Sequence, residues 1–176
     1  MLNYVRKIAV SAALLTGVSG AVVAPTPVLA GQSCADQRAR QALEVRVLQS
    51  ELMVAALTCG ERPSYNAFVT SFKPFLKSQG AQLRTFFVQQ YGPSVGPTRL
   101  NRMVTRLANT ASQNSVSVST QTFCAQAKQR FAKVLVATPQ GLSQLARISP
   151  TANAHGVKSC IEVADSTVQP DGGDQN

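Results

Sequence analysis

From Arg62 to Ile161 the chain contains no aspartate or glutamate, against twelve lysines and arginines. No base in that span can find an acid on its own helix, and a field of one sign there concentrates anions near the surface. Other absences narrow the chemistry. There is no GxSxG, phosphate-binding loop, HExxH or dinucleotide fingerprint. No CxxC pair and no Cys–His spacing suited to zinc occurs, which removes the usual signals of redox and zinc proteins. There is one histidine, His155, and no cofactor or metal is expected.

Only one run approaches membrane-spanning length, the seventeen residues from Ile8 to Ala24. It follows Arg6 and Lys7, contains Gly17 and Gly20, and precedes Pro25 and Pro27. With Val28 and Ala30 at the −3 and −1 positions it reads as a signal peptide, residues 1–30, cleaved after Ala30, rather than as an anchor. Gly31, Gln32 and Ser33 before Cys34 do not make a lipid-attachment box. The expected mature chain runs from Gly31 to Asn176 with fifteen bases and eight acids. It has no second run able to cross a bilayer. The expectation is a periplasmic or secreted protein: a single domain over 31–160 and a disordered acidic tail over 161–176.

The domain reads as all-α. A first helix spans Cys34 to Cys59, with Ser33 as its cap and Gly60 as its stop. Its segment Leu52–Leu57 is apolar on nearly every side, so neighbours are expected on more than one face. A second helical region opens at Ser64 and breaks near Phe72 because of Pro74, with Gly80 weakening its middle. Tyr91–Pro97 reads as a loop. A third helix runs from about Pro97 to Ala111 and a fourth from Thr120 to Val136. A short fifth begins at Thr138-Pro139 and ends near Ile148. No periodicity is visible after Pro150.

Four cysteines in an exported chain imply two disulfides. Cys34 and Cys59 lie at opposite ends of one helix, about 37 Å apart at the helical rise, whereas a disulfide needs α-carbons within about 7 Å. Short connections favour an up-down order, which brings the end of the first helix to the start of the fourth. The expected pairs are therefore Cys59–Cys124 and Cys34–Cys160, stapling a bundle of four to five helices.

Arg62–Gly92 carries five Phe, two Tyr and four Lys or Arg. The aromatics recur at helical spacing, so they read as core; Tyr65 and Tyr91 are the ones expected at the surface. A base-stacking platform would interleave rings with cations, so nucleic acid is a disfavoured partner. The candidate anion-binding residues form two stripes. Lys73, Lys77 and Arg84 fall within about 40° on a helical wheel, and Arg99, Arg102 and Arg106 within about 60°. The competing reading of both stripes is a solvated helix face. Glu51, with Glu44 seven residues earlier, is a candidate acid–base residue; the competing reading is an ion pair with an arginine of another helix, such as Arg102 or Arg106. His155 reads as a surface-loop residue.

The segment Cys34 to Cys124, with LQSELMVAALTCGERPSYNAFVTSF and LNRMVTRLANTASQ as its most specific stretches, resembles a family of small exported proteins of Gram-negative bacteria. The resemblance covers about half the chain. It implies an exported helical domain and brings no activity or functional residue. Taken together, these features suggest a non-enzymatic exported protein that binds a partner or serves the envelope through a basic surface. The partner would be an anionic envelope component or another protein. The rival expectations are an inhibitor- or chaperone-like module presenting an apolar groove, and an enzyme built on Glu51 or His155.

Overall fold

The carboxylate of Asp36 accepts the Ala39 N–H at 2.7 Å and so starts helix α1, Gln37–Cys59. The cap is therefore Asp36 and not Ser33, because an extended Asp36 (ψ 176°) places its carboxylate over the first turn. Gly60, at φ 72°, ends the helix in the left-handed conformation. These elements come from a computed structural model that describes residues 34–160; the expected signal peptide and acidic tail lie outside the described residues.

Twelve of the 23 residues of α1 are buried, and they point in all directions around the axis. A helix apolar on every side is stable only when surrounded. Here α2, α3, α4 and α5 all pack on it. Helix α2, Arg62–Ser71, starts two residues before the expected cap; the Ser64 hydroxyl instead donates to the Glu61 carboxylate at 2.7 Å. Phe72 separates α2 from α3, Lys73–Val116, at the break expected from Pro74. Hydrogen bonds nevertheless run across it, from the Phe72 N–H to the Phe68 carbonyl and from the Leu76 N–H to the Phe72 carbonyl.

The expected loop at Tyr91–Pro97 is instead helical, except at Gly92 (φ 79°, ψ 164°). That conformation is open essentially to glycine alone. Pro93 then occupies the first position of a new helical segment, where its missing N–H removes no hydrogen bond. Helix α3 is thus a hairpin of two arms, 73–91 and 93–116, and the second arm runs five residues past its expected end. Helix α4, Thr120–Leu135, is capped by Ser119, and α5, Pro139–Arg147, by Thr138, the latter as expected.

The core has two parts that share α1. Leu48 and Leu52 pack with Phe68, Phe72, Phe131 and Leu142, while Leu43 and Val47 pack with Leu83, Phe86, Phe87, Met103 and Leu107. Both disulfides form as expected: Cys59–Cys124 with α-carbons 5.4 Å apart, and Cys34–Cys160 at 4.9 Å. The chain after Pro150 is more ordered than its lack of periodicity suggests. It forms a single 3-10 turn, Ala152–His155, and then a parallel bridge between Ser159 and Ala35. The Ala35 N–H donates to the Lys158 carbonyl at 2.8 Å, and the Cys160 N–H to the Ala35 carbonyl at 3.0 Å. The molecule is an all-α bundle clamped by a disulfide at each end.

Candidate functional site: a basic groove

All four acids of the described residues are engaged within the fold. Asp36 caps α1 and Glu61 holds Ser64. Buried Glu44 lies 3.7 Å from Arg40 and 4.0 Å from Arg147. Glu51 accepts a 2.8 Å hydrogen bond from Arg130 and a second from the Thr151 hydroxyl. Its partner is thus Arg130 on α4, not Arg102 or Arg106, because α1 turns this side toward α4. Both carboxylate oxygens of Glu51 are occupied, so it stands as an inter-helix tie.

Arg38, Arg62, Lys128, Lys133 and Lys158 are exposed and form no salt bridge among the described residues, but the largest group of such cations is on α3. Lys73, Lys77, Arg84, Arg99, Arg102 and Arg106 are all exposed, and among the described residues none of them forms a salt bridge. The guanidinium of Arg99 sits 5.5 Å from the centre of the exposed Tyr91 ring, a cation–π distance. The two sequence stripes are reorganised by the hairpin. Lys77 and Arg84 line a groove of about 420 Å³ between α1 and the two arms of α3, whereas Lys73 stands outside it. Arg102 and Arg106 line a separate, shallow depression with Thr98, Asn101 and Thr105.

The groove brings in a third cation that sequence reasoning missed, Arg46 of α1. It lies between the buried Val45 and Val47, in a stretch that reads as helix interior. Its Nη1 donates to the Gln49 side-chain oxygen Oε1 at 2.9 Å, but its Nε is buried without a hydrogen-bond partner. Burial lowers its pKa, and Tyr65 acts in the opposite direction; the guanidinium remains charged at any physiological pH. An N–H left unsatisfied costs about 1–3 kcal/mol. The visible signal was an arginine inside the central apolar helix with no acid three or four residues to either side.

Beside these cations the groove is lined by apolar Val45, Leu76, Leu83, Leu100 and Val104 together with polar Gln49, Gln79 and Asn101. Gly80 lies on its wall, and a Cβ added there would meet nothing within 4 Å. The aromatic run of α2 and the first arm of α3 is mostly core. Phe68, Phe72, Phe86 and Phe87 are buried, Phe75 is half-buried, and only Tyr91 of the seven rings is exposed. Tyr65, expected at the surface, is half-buried with its ring 6.0 Å from that of Phe68.

His155 is not a surface-loop residue. It is 5% exposed, and its Nδ1 accepts the Val157 N–H at 3.0 Å. The pairing of Ser159 with Ala35 draws this segment onto α1, a long-range contact invisible in the local sequence. Among the described residues no group of three or more His, Cys, Asp or Glu is placed to hold a metal ion, and no helix is long and apolar enough to cross a membrane. The paired cysteines fit an oxidising, non-cytoplasmic compartment. Comparison of the chain with protein-family models, with curated proteins and with solved structures found no match.

Proposed function

We propose that the protein works after export, in the periplasm or outside the cell, as a non-enzymatic binding protein for an anionic envelope component. The observation that carries this reading is the division of charge. Every described acid is consumed by the fold, and the bases these acids neutralise lie on α1, α4 and α5. The 44 residues of α3 are left with six exposed cations and no acid. Such a face attracts phosphate, sulfate or carboxylate groups through a field that salt screens over about 10 Å at 0.1 M.

The test is retention of the oxidised protein on a sulfated polyanion column, together with co-sedimentation with vesicles containing anionic lipid, over a range of salt. Binding should weaken steeply as salt rises and should be lost when the six bases of α3 are changed to glutamine. Retention that is flat with salt, or unchanged in the six-site variant, would refute the proposal.

A further inference from the structure

We infer that the groove between α1 and the arms of α3 is a discrete site for a small aliphatic anion. A single carboxylate, sulfate or phosphate head would be held by Arg46, Lys77 and Arg84, with an alkyl tail lying against Leu76, Leu83 and Leu100. The inference rests on the anion-binding reading, since it shares Lys77 and Arg84 with it, and assigns one part of that face to a small ligand.

Three features separate this groove from the rest of the basic face. First, its cations stand beside leucine and valine side chains. The depression at Arg102 and Arg106 is lined by threonine, asparagine and arginine alone, which suits a hydrated anion or a polymer. The groove offers leucine and valine beside its charges, which suits an anion with a hydrocarbon part. Second, Arg46 is drawn out of water. A half-buried guanidinium interacts more strongly with an anionic oxygen than a solvated lysine does. Third, the groove is bounded by three helical segments, α1 and both arms of α3. The arms of α3 touch at Gly96 and Phe87, and the groove opens beyond that contact, floored by α1. Its volume of about 420 Å³ equals about fourteen liquid waters, the size of a head with a medium-length alkyl chain.

The probes are dodecanoate and dodecyl phosphate, titrated calorimetrically into the full oxidised chain below their micelle concentrations. Butyrate, inorganic phosphate and dodecyltrimethylammonium serve as controls. At least one of the two long-chain anions should bind saturably at one per chain, and the tighter of the two identifies the head as carboxylate or phosphate. Butyrate and inorganic phosphate should bind at least tenfold more weakly, and the cationic amphiphile should not bind. Arg46→Gln should weaken binding at least tenfold. Gly80→Leu, which places a side chain in open space on the groove wall while improving helix propensity, should do the same and carries the test should Arg46→Gln unfold.

The inference is overturned if neither long-chain anion saturates, if Gly80→Leu binds as well as wild type, or if inorganic phosphate binds as tightly as dodecyl phosphate. Gly80→Leu keeps all six bases of α3, so its polyanion retention should be unchanged. Failure of the wild type to bind either dodecyl anion, with its polyanion retention intact, would therefore remove this inference alone. Loss of salt-dependent retention in the wild type would remove the broader reading.

Discussion

Gly96 packs directly against the backbone of Phe87. A Cβ at Gly96 would lie 2.6 Å from the Phe87 carbonyl oxygen and 2.9 Å from the Val88 α-carbon. This contact fixes how closely the two arms of α3 approach, and hence where the groove closes. Both opposing atoms are backbone, so no side-chain rotation can make room. Gly96→Ala should destabilise the protein by about 1–3 kcal/mol in urea unfolding, as overpacking does. Gly80 is the built-in contrast: it is helical and faces open space, so Gly80→Ala should stabilise by about 0.5–1 kcal/mol. Equal effects of the two substitutions would contradict this geometry.

Gly92 makes the turn that Gly96 then tightens. At φ 79° and ψ 164° any side chain is strained, so Gly92→Ala should cost about 1–3 kcal/mol although nothing lies within 4 Å of its added methyl. The cause is conformational, so Gly92→Asn and Gly92→Ser should cost as much as alanine. If a larger residue cost steeply more than alanine, the cause would be steric crowding instead.

The residues around this turn show where sequence reasoning stops. Gly and Pro at 92–97 resemble a loop by composition, yet only Gly92 leaves helical geometry; Pro93 begins a helix and Gly96 serves a contact. Composition cannot distinguish a glycine needed for its backbone angles from one needed for its small size. The disulfides were legible because helix length alone forbids a bond between Cys34 and Cys59. The cap Thr138 was legible because it acts within three residues of itself. What was hidden is long-range. Glu51 and Arg130 are separated by 79 residues, the burial of His155 depends on Ser159 meeting Ala35, and Arg46 becomes part of a site only when both arms of α3 fold over α1.

The two disulfides close loops of different length, with sequence separations of 126 and 65 residues. Chain entropy gives about 5 and 4 kcal/mol for such loops, so the double variants Cys34→Ala/Cys160→Ala and Cys59→Ala/Cys124→Ala should lose similar amounts, about 2–5 kcal/mol each. Hydrogen exchange should distinguish them. Loss of the Cys34–Cys160 bond should release protection of the Ala35 and Cys160 amides, which bridge the chain beside it, while the amides of the core around Leu52 stay protected until global unfolding. Uniform loss of protection in both variants would show that the terminal bridge and the core open together.

Glu44 supplies a pH dependence of a definite sign. It is 3% exposed, and burial raises its pKa above the ordinary value of 4.5; Arg40 and Arg147, which pull it down, do not fully offset that burial. A carboxyl whose pKa is higher in the folded state binds its proton more tightly there than when unfolded. Its contribution therefore favours the fold at acid pH and falls away as pH rises from 4.5 through the folded value, after which it is constant. Glu44→Gln removes the charge while keeping the shape. Relative to wild type, the variant should gain stability between pH 4 and pH 7, and at pH 7 it should be at least as stable in urea. Glu51→Gln should show the opposite behaviour at pH 7, because its charge is matched by Arg130 at 2.8 Å and by the Thr151 hydroxyl. A Glu44→Gln variant that loses stability at pH 7 would show that the two arginines outweigh the cost of burial, and that α5 is held to α1 by charge rather than by Leu142 and Ala146 in the core.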